Sequence, residues 1–205
     1  MSKILKYLKE EGIAVTFKKI MDKLFHKSKS FTVFYRLELL TDNNTIDDSG
    51  FELLNINNKS GFERIKFWDF INPDDYIDNA NQSILLYKME GQYAAYAAEE
   101  HSIDRVIHDL GIFHLSADEA WIGPVYVCKQ WRGKGINGNL ISKQLCRLSQ
   151  IGIKYVYTAI NSNNSSSIKS FVKRGFEEIG SVDSKGNLIN DPKGILKESF
   201  KYTVK

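Results

Sequence analysis

The most informative stretch of the chain is Val125-Tyr126-Val127-Cys128-Lys129-Gln130-Trp131-Arg132-Gly133-Lys134-Gly135-Ile136-Asn137-Gly138. It begins with the β-branched and aromatic residues of a strand, passes through two closely spaced glycines and continues into an amphipathic helix. Gly133 and Gly135 let the main chain bend close to a ligand, because glycine has no side chain in the way. The first amides of a helix that begins near Gly135 have no acceptor within that helix, so they can all point at one phosphate group. The segment therefore predicts an anion-binding turn for a cofactor that carries a diphosphate.

Two common nucleotide-binding motifs do not explain this turn. Gly133, Gly135 and Gly138 satisfy G-x-G-x-x-G, but that dinucleotide fingerprint also needs an acidic residue about 20 positions further on to hold a ribose hydroxyl. The next predicted strand, residues 153–160, is followed by Asn161-Ser162-Asn163-Asn164, which contains no carboxylate. Only 67 residues follow Gly138, too few for the rest of a doubly wound sheet. No Gly-Lys pair is followed by Ser or Thr at the spacing of a phosphate loop.

The pattern that fits is Gln130-x-x-Gly133-x-Gly135, with Leu140 on the following helix, which resembles motif A of the GNAT superfamily of acyl-CoA N-acyltransferases. Downstream, residues 164–176 (NSSSIKSFVKRGF) resemble motif B of that family, in which an Asn, a helix and a Gly-Phe pair follow the next strand. The resemblance is strong over about residues 119–180 and weaker over 62–118. It implies an α/β (α+β) fold with a mixed, mostly antiparallel central sheet, a splayed pair of parallel strands and helices on both faces.

The resemblance also implies where acetyl-CoA would bind as the acyl donor. Pro124 lies inside the predicted strand 119–128, where proline disrupts regular pairing, so we expect a β-bulge there. In the family this strand splays from its parallel neighbour and the pantetheine arm occupies the gap. The implied cofactor-binding residues are Val125, Tyr126 and Val127 along the strand, Gln130, Arg132, Gly133, Lys134, Gly135, Ile136 and Asn137 around the turn, and Asn164 and Phe171 from motif B. Asn164 is equally suited to cap the helix that begins at Ser165.

Candidate catalytic residues follow from the chemistry of acyl transfer to an amine. Many family members carry a tyrosine where this chain has Phe171, and that tyrosine protonates the departing thiolate. Tyr126 is the candidate donor here, and the alternatives are Tyr157, Ser167, Ser170 or water. An amine with a pKa of about 10.4 must lose a proton before it attacks, so a base or a water relay to one is required. Glu119 is the candidate base, followed by Asp118, His114 and Asp109.

Length and charge restrict the remaining possibilities. A chain of 205 residues with 42% hydrophobic content can bury one sizeable core, which predicts a single acyltransferase domain over 31–205. Residues 1–30 carry 8 Lys against 3 acidic residues, so 3 − 5 = −2 charges remain for the rest of the chain. An acidic body argues against nucleic acid as a partner. Cys128 and Cys146 form no C-x-x-C pair and the four His show no ligand spacing, which predicts a metal-free cytoplasmic protein with reduced thiols.

The first 30 residues are predicted to form a basic amphipathic helix, because Ile13, Phe17, Ile20 and Leu24 recur on one helical face. That helix could pack on the protein itself, on a second subunit in an oligomer, or on an anionic membrane surface. Further on, the sequence predicts strands at 31–40 and 62–70, a hairpin of 83–89 with 93–99, continuation of the sheet by 109–116, and a final hairpin of 176–182 with 198–204.

The sequence therefore predicts an N-acetyltransferase in which a primary amine attacks acetyl-CoA directly, without a covalent enzyme intermediate. The acceptor could be a small molecule such as an amino sugar, or a peptide amine. Two alternatives remain open at this point, a non-catalytic CoA-binding module and a membrane-surface scaffold built around residues 1–30.

Overall fold

The computed structural model describes residues 30–39, 49–59, 76–107 and 111–202. The predicted basic helix within residues 1–30 and the predicted strand at 62–70 lie outside this described part, as does Asp109. The strands are β1 (Thr32–Glu38), β2 (Phe51–Leu54), β3 (Gln82–Met89), β4 (Gln92–His101), β5 (Asp104–Ile107), β6 (Gly111–His114), β7 (Glu119–Val127), β8 (Tyr155–Asn161), β9 (Glu177–Val182), β10 (Leu188–Asn190) and β11 (Phe200–Tyr202). The helices are α1 (Ile136–Gln150), α2 (Ser165–Val172) and α3 (Ile195–Ser199).

Within the described ranges, eight strands form the main sheet, in the order β10-β9-β1-β8-β7-β4-β3-β2. Every neighbouring pair in it is antiparallel except β7 and β8, which are parallel. A second sheet contains β11, β6 and β5. The predicted class, a mixed and mostly antiparallel sheet with one parallel pair, is therefore confirmed.

The sequence predicted a strand at 31–40 but not its place in the sheet. β1 lies between β8 and β9 and is antiparallel to both. The predicted hairpin of 176–182 with 198–204 is therefore wrong, because β9 pairs with β1 and β10, and β11 pairs with β6 in the second sheet. The prediction that 109–116 continues the main sheet is wrong for the same reason. Aromatic packing explains why β11 pairs with β6, since Phe200 of β11 lies edge-on against Phe113 of β6 and Phe34 of β1.

Helices cover both faces of the main sheet, as predicted. On one face α1 and α2 bury Ile141, Leu148 and Phe171 against residues of β1, β7 and β8. On the other face Leu196 of α3 packs with Phe113 of the second sheet and with Phe34, Trp121 and Tyr157 of the main sheet.

Helix α1 ends at Gln150, two residues before a glycine. Gly152 has a φ of 86° and lies just beyond the helix. Its N–H donates to Ser149 O at 3.1 Å, and the N–H of Ile153 donates to Leu148 O at 3.0 Å. This pair of bonds is the Schellman arrangement, which needs a left-handed residue and therefore favours glycine. Among the described residues, no helix combines the length and the apolar composition needed to cross a membrane.

Candidate functional site

Two left-handed glycines shape the turn that joins β7 to α1. A short 3₁₀ helix, Lys129–Trp131, follows β7, and Gly133 and Gly135 come next with φ values of 81° and 78°. A side chain at such φ values is strained, so the turn depends on glycine. A Cβ at either position would meet no atom of the described chain within 4 Å. The glycines therefore present bare main chain to an open space.

The turn has a row of unpaired donors. The first amide beyond the turn with an acceptor is that of Asn139, which donates to Gly135 O at 3.2 Å. In the part of the chain that the structure describes, the N–H groups of residues 133–137 donate no hydrogen bond. These five amides lie at the positive end of the α1 dipole, where an anion is stabilised. Such an arrangement can hold a diphosphate, and the diphosphate at this turn stays a prediction.

The side chains around the turn are largely engaged with the protein. Arg132 donates from Nε to Val127 O at 3.0 Å, and its own N–H donates to Lys129 O at 3.3 Å. The Nζ of Lys134 lies 4.6 Å from the ring centre of Trp131. Gln130 is exposed. The positive charge of Arg132 can therefore attract an anion, but its backbone N–H is already paired with Lys129 O.

Asn137 and Ile136 occupy the first turn of α1, and Ile136 is buried. The Oδ1 atom of Asn137 is buried and accepts no hydrogen bond from the described residues. A buried acceptor without a donor costs free energy, so a ligand N–H beside it would be favoured.

The chain is irregular at Pro124, as predicted. Ala97 of β4 lies opposite Val125 of β7, but Glu99 lies opposite Ile122. Gly123 and Pro124 therefore share the place opposite one β4 residue, Ala98, which is the definition of a β-bulge. The Gly123–Pro124 peptide bond is cis, and Gly123 has a φ of 136°.

The parallel pair of strands separates at this bulge. β7 and β8 pair over three residues each, from Glu119 beside Tyr155 to Trp121 beside Tyr157. Beyond Trp121 and as far as Val127 no residue of β7 pairs with β8, although both strands are fully described. A gap therefore opens between them, and it leads to the glycine turn. We refer to this space, between residues 122–127 and β8, as the gap.

The register shows which backbone groups of β7 face the gap. The N–H of Cys128 donates to Ala94 O of β4 at 2.9 Å. Because backbone groups alternate along a strand, Tyr126 also turns its N–H and C=O toward β4, and Val125 and Val127 turn theirs toward the gap. The predicted set of three is thus divided: Val125 and Val127 face the gap, and the backbone of Tyr126 does not.

The side chain of Tyr126 packs against β4 and Arg132. Its ring stacks on Tyr96 of β4, with centroids 5.7 Å apart, and the guanidinium carbon of Arg132 lies 5.7 Å from the ring centre. The ring is therefore held in place from two sides.

Glu119 is not brought to the gap. Its Oε1 accepts from the Tyr157 hydroxyl at 2.7 Å, and its Oε2 accepts from the Ser116 N–H at 2.8 Å. It lies six residues before Val125, which is about 20 Å along an extended strand. Burial, followed by the hydrogen bond to Glu119, raises the pKa of Tyr157, so that phenol stays protonated. Glu119 and Tyr157 therefore form a structural hydrogen-bonded pair at the end where β7 and β8 are paired with each other.

Motif B lies on α2. Asn164 caps the helix, because its Oδ1 accepts from the Ser167 N–H at 3.2 Å. Phe171 is 2% exposed and packs edge-on against Phe176, with ring centres 5.0 Å apart. Phe171 is therefore part of the core between α2 and the sheet. Ser170 bonds back to Ser166 O at 3.1 Å.

Gly138 has a packing role that the dinucleotide motif would not suggest. A Cβ at Gly138 would collide with the guanidinium of Arg174. That side chain donates from Nε to Ser142 Oγ at 2.9 Å and from NH1 to Ser170 O at 2.8 Å. Arg174 therefore ties α2 to the first turns of α1, and glycine makes the close approach possible.

Sequence reasoning missed two polar side chains beside the bulge, Gln144 and Arg105. Gln144 could have been noticed, because it lies in the apolar stripe of α1 between Ile141 and Leu148. Arg105 carries no such signal, since β5 belongs to the second sheet.

Thiol and metal chemistry find no support in the described residues. Cys128 is 8% exposed, and burial raises the pKa of its thiol, which disfavours the reactive thiolate. No group of three or more His, Cys, Asp or Glu side chains in the described ranges is placed to hold a metal ion.

A protein-family model matches more than half of the chain. The model of the acetyltransferase (GNAT) family matches residues 49–176. No curated protein sequence matches the chain significantly.

Solved structures of similar fold have low sequence identity. A GNAT-family protein from Novosphingobium aromaticivorans is 16% identical with a TM-score of 0.49, over 74% of this chain and 63% of that one. An acetyltransferase of the GNAT family from Colwellia psychrerythraea is 17% identical with a TM-score of 0.48, over 73% of this chain and 53% of that one. The aminoglycoside N-acetyltransferase AAC(6′)-Iy in complex with CoA is 16% identical with a TM-score of 0.46, over 62% of this chain and 91% of that one.

Proposed function

This chain belongs to the GNAT acetyltransferase family, and we propose that it transfers an acetyl group from acetyl-CoA to a primary amine of a small molecule such as an amino sugar. One observation carries the proposal: the five unpaired amides of the turn lie at the end of a gap whose wall also offers the N–H and C=O of Val125 and the N–H of Val127, while Val127 O accepts from Arg132. A diphosphate and an extended amide-containing arm are joined in this order in coenzyme A.

Each part of the site would bind a different part of the donor. The amides of residues 133–137 would hold the diphosphate. The gap-facing groups of Val125 and Val127 would pair with the pantetheine amides as a neighbouring strand would. Acetyl-CoA supplies an acyl group activated as a thioester.

The Val125 N–H is our candidate donor to the thioester carbonyl. Such a donor is most effective when negative charge develops on the oxygen, and removal of one comparable donor costs about 3 to 4 kcal/mol in other enzymes. A backbone donor on a strand is held rigidly, so it needs no rearrangement during the reaction.

Tyr126 is our candidate proton donor for the departing thiolate, because Phe171 has no hydroxyl and is buried. Attack by the amine is proposed to be direct. The buried Cys128, whose pKa is raised by burial, is a poor covalent nucleophile.

Glu119 was the candidate base from sequence, and its distance from the gap argues for proton loss through water instead. Glu119→Gln tests this point. We expect the acidic limb of the pH profile of kcat/KM to stay in place, because the carboxylate lies about 20 Å along the strand from Val125. A displaced limb would restore Glu119 as the base.

The function itself is tested in two steps. Isothermal titration calorimetry should detect binding of acetyl-CoA and no binding of NAD. Thiol detection should then show CoA release when the protein is supplied with acetyl-CoA and one member of a panel of amino sugars, other small amines and peptides. Binding of acetyl-CoA without release for any acceptor would favour the non-catalytic CoA-binding module. No binding of acetyl-CoA would refute both.

A further inference from the structure

We propose that Gln144 and Arg105 are positioning residues that satisfy two backbone carbonyls released by the Pro124 bulge, Ala98 O and Gly123 O, and thereby keep the gap open for pantetheine. This inference rests on the proposed function, because it assigns a role within the same binding site.

The bulge leaves hydrogen-bond acceptors without their usual partners. Gly123 and Pro124 lie opposite the single residue Ala98, so the ladder between β4 and β7 is interrupted there. Pro124 also has no N–H to donate to β4. Buried carbonyls without a partner are destabilising, so a bulge in the middle of a sheet needs donors from elsewhere.

Gln144 supplies donors from the α1 face of the sheet. It is fully buried, and its Nε2 lies 3.1 Å from Ala97 O and 3.3 Å from Ala98 O. Ala98 O is the carbonyl that faces β7 at the bulge, whereas Ala97 O faces β3 and receives a second N–H. The residue occupies a helix position that otherwise favours an apolar side chain, and its Oε1 accepts no hydrogen bond from the described residues. These two bonds therefore recover only part of the cost of burying the amide.

Arg105 supplies a donor from the opposite face. Its NH2 donates to Gly123 O at 3.3 Å, and its NH1 lies 2.6 Å from a carboxylate oxygen of Glu100. Its guanidinium carbon also lies 5.0 Å from the ring centre of Trp121. The planar guanidinium is thus fixed by three neighbours. Gly123 O therefore has a donor from outside the β4–β7 ladder.

Gln144 also links the two halves of the proposed binding site. It lies nine residues after Gly135 on the same helix, about 13 Å along the helix axis. The N-terminus of α1 presents the amides for the diphosphate, and Gln144 fixes α1 to β4 at the bulge. The separation between the diphosphate site and the gap is therefore set by one rigid helix.

The test compares two ligands in one variant. Gln144→Met keeps the size and shape of the side chain and removes its donors. We expect the affinity for acetyl-CoA to fall about tenfold, the equivalent of one buried hydrogen bond. The affinity for 3′-phospho-ADP, the part of coenzyme A without pantetheine, should stay within about twofold, because that ligand needs only the turn. Calorimetry measures both.

A control variant separates positioning from stability. Leu148→Ala truncates another fully buried side chain of α1 and lowers stability without touching the bulge. It should bind both ligands as the wild type does. Arg105→Lys is the second test variant. It keeps a positive charge beside Glu100 but has no planar fork that could reach Glu100 and Gly123 O together. It should show the same selective loss for acetyl-CoA, and it decides the question if Gln144→Met does not fold.

Each remaining result has a defined meaning. Unchanged acetyl-CoA affinity in the variants would overturn the inference. So would an equal loss for both ligands, because that would show a general displacement of α1. If the wild type binds neither ligand, the proposed function fails first.

Discussion

Gly135→Glu should abolish binding of acetyl-CoA while leaving the protein folded. Gly135 has a φ of 78°, and a side chain in the left-handed region costs about 1 to 2 kcal/mol. The new carboxylate would lie at the N-terminus of α1, where its interaction with the helix dipole stabilises the folded protein by about 0.3 to 1 kcal/mol. No atom of the described chain lies within 4 Å of the added Cβ, so no steric cost is added. We therefore expect a net loss of about 1 kcal/mol in the free energy of unfolding.

The effect on binding should be much larger. The carboxylate would lie beside the amides that hold the diphosphate, and two like charges 4 Å apart repel by about 4 kcal/mol near a protein surface. The affinity for acetyl-CoA should fall at least about a hundredfold, measured by isothermal titration calorimetry.

Gly152→Glu is the matched control. Gly152 has a φ of 86°, also has no atom within 4 Å of an added Cβ, and lies at the other end of α1. A carboxylate at a helix C-terminus is unfavourable, so Gly152→Glu should be the less stable of the two proteins and still bind acetyl-CoA normally. The order of stability should therefore be the reverse of the order of affinity. Normal binding by Gly135→Glu, or equal losses in both variants, would refute the assignment of the turn.

Three further predictions concern stability and the thiol. Burial raises the pKa of both Tyr96 and Tyr157, so these phenols ionise at a lower pH in the unfolded state than in the folded state. The free energy of unfolding should therefore fall as the pH rises above about 10. Tyr157→Phe should make this fall with pH less steep, measured by denaturation at alkaline pH. Arg147→Met should lower the free energy of unfolding by about 3 to 5 kcal/mol, measured in urea, because the fully buried Glu99 carboxylate loses its ion-pair partner. Iodoacetamide should label the half-buried Cys146 before the buried Cys128, and Cys128→Ser should retain activity within about twofold if the thiol is no nucleophile.

Local sequence was enough to predict the turn and the helix that follows it. Gly133, Gly135 and Gly152 all adopt positive φ values, and such positions strongly favour glycine. Pro124 indicated the bulge because proline cannot donate to a sheet ladder. Features of this kind depend on residues that are close in sequence.

The features of the fold and the site that could not be predicted from sequence depend on residues that are far apart in the chain. Nothing near Thr32–Glu38 indicates that this strand lies between β8 and β9, because its partners are chosen by packing across the whole sheet. Gln144 lies on α1, but its role depends on a bulge between two other elements, β4 and β7. Glu119 looked available as a base because sequence does not show its bonds to Tyr157 and Ser116.

The central place of β1 affects how this protein is made. Thr32 lies beside Asn161, so a strand that leaves the ribosome early waits for a partner 129 residues away. At ordinary rates of translation this delay is on the order of ten seconds, during which Val33, Phe34 and Tyr35 have no sheet to enter. Contacts this distant in sequence slow folding, and the nascent chain should be a substrate for chaperones that recognise apolar segments.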